Sequence, residues 1–88
     1  MIQQEVEIIN KLGMHARPAA LFVQTASKFK SDVYLRRNEH EVNGKSIMGV
    51  MMLAAEMGSK VVITANGVDE SEAIAALMEV VNNKFNED

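Results

Sequence analysis

The sequence contains no cysteine, which excludes disulfide scaffolds, thiolate metal sites, iron–sulfur clusters and thiol nucleophiles. A fold of this size must therefore be stabilised by its hydrophobic core alone. The chain also has no apolar run near the roughly 20 residues that a membrane span needs. Residues 1–5 lack the basic and apolar regions of a signal peptide. We therefore expect a cytoplasmic protein without membrane insertion.

The chain has 88 residues, which is room for one small domain and too little for most self-contained enzymes. Hydrophobic residues make up 48% and charged residues 24%, a composition typical of globular chains rather than disordered ones. No linker rich in proline, glycine or serine, no repeat and no low-complexity tract interrupts the sequence. We predict a single domain over residues 1–88, with a short polar tail after Phe85.

Charge is distributed unevenly along a chain whose net charge is −3. Residues 10–60 contain eight basic and four acidic residues, a local net charge of +4, whereas residues 61–88 have a net charge of −5. A basic middle segment favours an acidic partner or an anionic ligand. Nucleic-acid binding is not expected, because domains that bind nucleic acid are usually basic overall.

Hydrophobic periodicity divides the chain into seven elements in the order β-α-β-β-α-β-α. A two-residue alternation predicts strands, and a spacing of three to four residues predicts helices. Asp69 with Glu72 three residues later resembles a capping box at the start of the last helix. The predicted strands cover residues 4–8, 33–37, 40–43 and 60–65, and the predicted helices run from Ala16 toward Phe29, over 47–55, and from Asp69 to about Val81.

This element order predicts an α+β fold. The central pair of strands is joined by a short turn at Asn38 and Glu39, so at least one strand pair must be antiparallel. A chain of this length suits a two-layer sandwich with its helices on one face of the sheet. The charged residues that alternate along the first strand agree with a second face in water.

His15 is the first candidate for chemistry, because imidazole is a nucleophile at neutral pH and this one stands where the first helix begins. The N–H groups of a first helical turn and the positive end of the helix dipole favour an anion, so they would stabilise a phosphoryl group on the ring. Arg17 adds a guanidinium suited to phosphate oxygens. The alternative is that His15 is an ordinary surface cap and Arg17 a solvated charge.

Ser46 stands in a similar place at the start of the second helix, where a phosphate would gain the same stabilisation. The alternative is that Ser46 only caps the helix, a role with about 1 kcal/mol at stake. The preceding Gly44 and Lys45 do not form a nucleotide-binding loop, because Glu39 occupies the position of the first glycine of that motif.

The second predicted helix is apolar almost all round. Its residues Ile47, Val50, Met51 and Ala54 are able to fill one side, which leaves Met48, Met52 or Leu53 poorly covered in so small a domain. Such residues indicate a contact surface, since methionine adapts to several partners. The alternative, which is more usual for a methionine stripe, is that they belong to the core.

The second histidine, His40, has no Asp, Glu or His at a spacing that makes a convincing metal site with His15. We interpret it as a surface residue. The motifs of common hydrolases and metalloenzymes are absent from the sequence as well. We therefore expect no metal and no other cofactor.

Two segments resemble the signatures of one known family. Residues 13–19, GMHARPA, resemble the active-site signature of the HPr family, the histidine phosphocarriers of the bacterial phosphoenolpyruvate-dependent phosphotransferase system. Residues 45–51, KSIMGVM, resemble the second signature of that family. The separation of the two segments and the length of the chain match as well, so the resemblance covers essentially all 88 residues.

The resemblance implies an open-faced sandwich with a four-stranded antiparallel sheet in the order 1-4-2-3. It also implies that His15 accepts a phosphoryl group at Nδ1 from phosphorylated enzyme I, and donates it to a histidine of an EIIA-type protein. Arg17 and the amides of Ala16 and Arg17 would hold the phosphoryl group. Such a protein is a transferase component and a substrate of other enzymes rather than a stand-alone enzyme.

In family members that serve a regulatory serine kinase and phosphorylase, the serine matching Ser46 is phosphorylated. The residues matching Ile47, Met48 and Met51 dock partners. We expect the chain to act as a monomer. Residues 10–14 and the ending at residues 85–88 resemble the nitrogen-related branch of the family, whereas residues 45–51 resemble members with serine regulation. Sugar uptake and nitrogen regulation therefore both stay open.

Two other classes of function compete with a phosphocarrier. One is a regulatory binding module that is read through Ser46 and the surface of the second helix without carrying phosphoryl flux. The other is a generic small adaptor in which both motifs are structural. The histidine itself argues against the catabolite-repression relatives that lack it.

Overall fold

Four strands and three helices form the fold in a computed structural model that describes residues 1–86. Residues 85–88 were compared above with the nitrogen-related branch, and the last two of them, Glu87 and Asp88, lie outside the described residues. The predicted order is confirmed. The elements are β1 (Ile2–Glu7), α1 (Ala16–Ala26), β2 (Asp32–Arg37), β3 (His40–Asn43), α2 (Ile47–Met52), β4 (Lys60–Asn66) and α3 (Glu70–Asn82).

The strands form one antiparallel sheet in the order β1-β4-β2-β3, as the resemblance implied. Val6 on β1 pairs with Val61 on β4, and Leu35 on β2 lies opposite Ile63 on one side and Val42 on the other. Because side chains alternate between the two faces of a strand, this register places these apolar residues of all four strands on the same face.

The core lies between that face and the helices. Phe22 of α1, Val50 of α2 and Leu77 of α3 are fully buried against it. The opposite face carries Glu5 and Arg36 toward solvent, and so the prediction of a half-exposed sheet is confirmed. None of the helices in the described part of the chain has the length and apolarity that crossing a bilayer requires.

Two helices end earlier than predicted. α1 stops at Ala26, where the amides of Lys28 and Phe29 donate to carbonyls three residues back and tighten the chain into a turn. α2 stops at Met52 rather than near Ala55, because Ala54 takes a left-handed conformation with φ of 50° that a helix cannot continue through.

The predicted capping box at Asp69 is wrong. Asp69 does stand at the N-cap of α3, but its carboxylate makes no capping bond and instead accepts hydrogen bonds from Lys30 and Ser31. Glu70 takes over the local role by accepting a hydrogen bond from the Gly67 amide at 3.1 Å. The Asp69 side chain thus ties α3 to the start of β2 rather than to its own first turn.

The chain end packs on the fold rather than leaving it. Lys84, Phe85 and Asn86 all have φ between 54° and 60°, so they form a short left-handed turn after α3. This turn returns the Phe85 ring to the core, where it is 4% exposed.

Candidate functional site

His15 stands at the N-cap of α1, as the sequence predicted. Its backbone is extended, with φ of −83° and ψ of −170°, and its carbonyl accepts the Ala19 amide at 2.9 Å. Pro18 occupies the first turn, where a missing N–H costs nothing. The histidine is partly exposed, so a partner can reach it.

The first turn of α1 presents exposed residues next to His15. Ala16 and Arg17 are both exposed, and their amides belong to the group of N-terminal N–H donors that have no acceptor within the helix. The eleven residues of α1 direct a positive dipole end at the same place. The structure therefore brings His15 together with two amide donors and a guanidinium-bearing residue.

A tight loop delivers His15 to this position. The Asn10 amide side chain donates to the Gly13 carbonyl at 2.8 Å, and the Gly13 amide donates to the Asn10 carbonyl at 3.1 Å. Gly13 has φ of 66°, and a Cβ at this position would lie 2.4 Å from the Ala55 carbonyl oxygen. Only glycine combines this backbone conformation with so close an approach.

The segment after α2 holds that loop from the other side. Met14, the residue before His15, donates its amide hydrogen to the Ala55 carbonyl at 2.7 Å. Ile8 exchanges further backbone hydrogen bonds with Gly58 and Ser59, at 2.7 and 2.9 Å. Residues 8–14 and 55–59 are thus joined by backbone hydrogen bonds, and the position of His15 depends on both segments.

Arg37 reaches the same region from the sheet. Its Nη1 donates to the carbonyl oxygens of Leu53 and Ala54, at 3.0 and 2.9 Å. These carbonyls lie at the C-terminal end of α2, where a cation is favoured by the helix dipole. The sequence alone suggested no role for Arg37, because nothing local to the β2–β3 hairpin indicates a contact with residues 53 and 54.

The chain end lies beside Arg17, which the sequence did not indicate. Phe85 and Asn86 line a cavity of about 290 Å³ together with Arg17. The remaining lining residues, Ala20, Leu21 and Gln24, belong to the exposed side of α1. The only local signal was the apolar Phe85 in an otherwise polar ending.

Ser46 caps α2, as predicted. Its hydroxyl oxygen accepts the Gly49 amide at 3.1 Å, and its carbonyl accepts the Val50 amide at 2.9 Å. The neighbouring Lys45 donates from Nζ to the Phe29 carbonyl at 2.8 Å, which ties this helix start to the turn that follows α1.

The structure does not place Ser46 in the His15 site. Met14, the neighbour of His15, donates its amide hydrogen to Ala55, just beyond the C-terminal end of α2. Ser46 lies at the opposite, N-terminal end of that helix. Six helical residues separate the two ends, a distance of about 9 Å at 1.5 Å per residue. A charge on Ser46 would therefore act on the surface between the two ends rather than on the ring of His15.

That surface is apolar. Met48 and Met52 are 70% and 78% exposed, and Ile47 and Met51 are exposed to a smaller degree. We call these four residues of α2 the methionine patch. The interpretation of the methionines as core is wrong, whereas the alternative that Met48 and Met52 are poorly covered is confirmed. The expectation that Ile47, Met51 and Ala54 fill the buried side is also wrong.

The reason is the shortness of α2. With six helical residues, only Val50 within the helix is buried, and Leu53 just after it takes the second core position. Leu53 was expected to be poorly covered and is instead 6% exposed. Leu12, in the loop before His15, is a further exposed apolar residue, with 72% of its surface accessible.

His40 is exposed at the turn between β2 and β3, as predicted. It lines an open cavity of about 500 Å³ with Met52 and Leu53, and the other lining residues are Glu39, Glu41 and Val42. Within residues 1–86, no group of three or more His, Asp or Glu side chains is arranged to hold a metal ion.

The sequence and the fold are both similar to known proteins. The family model for PTS-HPr, described as PTS HPr component phosphorylation site, matches residues 2–83. The phosphocarrier protein HPr of Neisseria meningitidis serogroup A is 53% identical over 87 residues, which cover 99% of this chain and 98% of that protein.

Among solved structures, HPr-C-His from Thermoanaerobacter tengcongensis superposes with a TM-score of 0.96 at 51% identity, covering 100% of this chain and 99% of the other. An HPr dimer from the same organism has a TM-score of 0.80 at 52% identity, covering 99% of this chain and 100% of the other.

Proposed function

This chain belongs to the HPr family of phosphocarrier proteins of the phosphotransferase system, and from this premise we propose that His15 is its phosphoryl carrier. The observation that carries the proposal is the position of His15 at the N-cap of α1, beside exposed Ala16 and Arg17. The proposed donor is enzyme I charged by phosphoenolpyruvate, and the proposed acceptor is a histidine of an EIIA-type protein.

The proposed chemistry needs one nucleophile and no cofactor. The lone pair of His15 Nδ1 attacks phosphorus, the bond between phosphorus and the donor breaks, and the donor keeps that electron pair. The reverse sequence passes the group to the next protein. Catalysis of such a transfer consists mostly of positioning and charge stabilisation.

The stabilising groups proposed here are the amides of Ala16 and Arg17 and the guanidinium of Arg17. Amide donors at a helix start are fixed before the reaction, so they lose little free energy in reorganising when charge develops. The guanidinium offers two parallel N–H donors to phosphate oxygens.

We propose that the methionine patch docks the partner proteins, with Ile47, Met48 and Met51 as the contacts implied by the family signature. A shallow apolar surface next to a basic segment suits weak contacts with acidic partners, which a shuttle must be able to leave. Phosphorylation of Ser46 by a serine kinase, and its reversal by a phosphorylase, would place negative charge at the edge of this patch.

The second candidate function is a regulatory module that carries no phosphoryl flux. The observation that favours it is the separation of Ser46 from His15 along α2, because a modification there changes the patch without touching the histidine. The two functions predict phosphorylation at different residues, an acid-labile group on His15 or an acid-stable one on Ser46.

We further propose that residues 1–88 act as one phosphocarrier domain, as a monomer and in the cytoplasm. A monomer leaves the methionine patch open to successive partners. The similar HPr dimer from Thermoanaerobacter tengcongensis makes this a point to measure, by light scattering over the concentration range used for transfer. No nucleic acid, membrane insertion or cofactor is part of the proposal.

The test is incubation with phosphoenolpyruvate and enzyme I, followed by intact mass and acid treatment. A phosphoryl group on an imidazole nitrogen is lost in acid, whereas a serine phosphate survives. We expect an acid-labile gain of one phosphoryl group that disappears in His15→Ala. The matched control is His40→Ala, which removes the other histidine and is expected to change nothing.

A parallel incubation with a serine kinase and ATP tests the alternative. Acid-stable phosphate on Ser46 there, with no phosphoryl group taken from enzyme I, would favour the regulatory module, and no phosphorylation in either reaction would leave an adaptor in which both motifs are structural. The same reaction with enzyme I of the sugar branch and of the nitrogen branch identifies the branch. The partner that transfers faster, by kcat/KM, is the physiological donor.

A further inference from the structure

Arg37 ends β2 with its side chain on the helix side of the sheet. Its neighbour Arg36 points to the open face and donates to the Asn38 carbonyl. Arg37 instead spans to the end of α2, where its Nη1 donates to two successive carbonyl oxygens, those of Leu53 and Ala54. A single side chain therefore contacts the chain at the point where it leaves α2.

The chain needs such support at this point. Ala54 has φ of 50°, a left-handed conformation that is strained for a residue with a side chain. The conformation persists only where surrounding contacts hold it. Arg37 donates one hydrogen bond to the Leu53 carbonyl, which precedes the strained residue, and one to the carbonyl of Ala54 itself. The two bonds therefore hold the peptide groups before and after the Cα atom of Ala54.

The next residue transmits this geometry to the loop before His15. Ala55 is 2% exposed, and its carbonyl accepts the Met14 amide at 2.7 Å. The same carbonyl lies so close to Gly13 that no side chain fits between them. A change in the direction of Ala54 would therefore move the hydrogen-bond acceptor of Met14, directly before the N-cap of α1.

We propose that Arg37 is a positioning residue for phosphoryl transfer: by fixing the left-handed link at Ala54, it holds the Ala55 carbonyl against Met14 and so fixes His15 at the start of α1. This inference rests on the proposed function for its consequence in transfer. Its structural part, the coupling of Arg37 to Met14, stands without it.

Hydrogen exchange tests the structural part first. In Arg37→Met, we expect the Met14 amide to exchange at least tenfold faster, while the Ile63 amide in the central sheet keeps its wild-type rate. The control is Arg36→Met, which removes the same charge from the same strand and is expected to leave Met14 unchanged. If Met14 exchanges equally in both variants, the positioning role is overturned.

A strain-relieving variant separates positioning from general destabilisation. Glycine adopts positive φ without the cost that alanine bears. The double variant Arg37→Met/Ala54→Gly is therefore expected to recover most of the lost Met14 protection, and Arg37→Lys, which keeps the charge on a different head group, to recover part of it. A double variant no better than Arg37→Met contradicts the role assigned to Ala54.

Steady-state transfer from phosphorylated enzyme I tests the consequence. We expect Arg37→Met to lower kcat three- to tenfold with KM within twofold of the wild type, since the methionine patch still docks. A rise in KM alone would show that Arg37 contacts the partner instead, and would overturn the proposal. A wild-type protein that takes no phosphoryl group would refute the proposed function, while the exchange data would still decide the coupling of Arg37 to Met14.

Discussion

The Ser31 hydroxyl donates a hydrogen bond to Asp69 Oδ1 at 2.5 Å, joining the start of β2 to the N-cap of α3. The amides of Ser31 and Lys30 donate to the two oxygens of the same carboxylate, each at 2.9 Å. The Ser31 hydroxyl and the Lys30 amide together hold the pKa of Asp69 at about 2, below its ordinary value of 3.8. A charged carboxylate is therefore part of the folded structure.

The first prediction is a stability that depends on pH through Asp69. Because the folded pKa is lower than the unfolded one, the stabilisation is complete above about pH 4 and is lost as pH falls toward 2. Asp69→Asn is expected to be less stable than the wild type at pH 7, and the difference is expected to shrink from pH 4 to pH 2. Urea denaturation at stepped pH measures it.

The control for this prediction is Glu72→Gln, which removes one negative charge from the same first turn at an exposed position. It is expected to leave the pH dependence between 4 and 2 as in the wild type. A gap between Asp69→Asn and wild type that stays constant down to pH 2 would contradict the assignment to the carboxylate.

The second prediction compares two glycines with positive φ. Gly58 has φ of 92° and open space where a Cβ would stand, so Gly58→Ala is expected to cost only backbone strain, roughly 1–3 kcal/mol. Gly13→Ala has the same kind of strain, and its Cβ also overlaps the Ala55 carbonyl. Thermal denaturation is expected to give a clearly lower melting temperature for Gly13→Ala than for Gly58→Ala. Equal losses of stability would show that the loop at Gly13 shifts to accommodate the added methyl group.

The third prediction concerns Arg17. If its guanidinium stabilises the transferred group, Arg17→Gln is expected to lower kcat/KM for transfer on the order of 10²-fold, the usual loss for one preorganised donor. Arg36→Gln makes the same change on the open face of the sheet and is expected to stay within twofold of the wild type. Equal effects in the two variants would assign the loss to overall charge instead.

The fourth prediction separates the cap of α2 from charge at Ser46. The side chains of Asn and Asp are able to accept the hydrogen bond that the Gly49 amide donates to the Ser46 hydroxyl, so Ser46→Asn and Ser46→Asp are expected to remain folded. Ser46→Ala is expected to lose about 1 kcal/mol of stability. Only Ser46→Asp places a charge beside the methionine patch. The affinity of Ser46→Asp for enzyme I is expected to be lower than that of Ser46→Asn. Equal affinities would refute the idea that charge on Ser46 regulates binding by repelling an acidic partner.

The fifth prediction tests the methionine patch itself. Met48 is 70% exposed, so Met48→Ser is expected to leave stability unchanged while weakening binding to enzyme I by about 1 kcal/mol, or roughly fivefold. Val68 is 86% exposed in the turn before α3 and makes a matched apolar control. Titration calorimetry compares the two, and an equal loss in Val68→Ser would show that the patch is not the docking surface.

The sequence predicted the element order and the start of α1 at His15, because both depend on neighbours a few residues apart. Pro18 and the three-to-four spacing of Ala19, Phe22 and Val23 place a helix start at His15 whatever surrounds it. Ser46 capped α2 for the same local reason.

Long-range hydrogen bonds and the length of one helix account for what the sequence could not predict. Asp69 had an adequate local interpretation as half of a capping box, but Ser31 and Lys30 offered three donors from a distant segment. For Met48 and Met52 the sequence left a contact surface and a place in the core both open, and the early end of α2 before Ala54 decided for exposure.

Local sequence by itself determined where a histidine, an arginine and a helix start would meet, because helix caps and dipoles are properties of consecutive residues. Tertiary structure alone decided which contacts hold the start of α1 in place. The Ala55 carbonyl accepts the Met14 amide, and Arg37 binds the carbonyls at the end of α2. These contacts join segments that become neighbours only after the sheet has paired and the helices have packed on it, so no local pattern in the sequence records them.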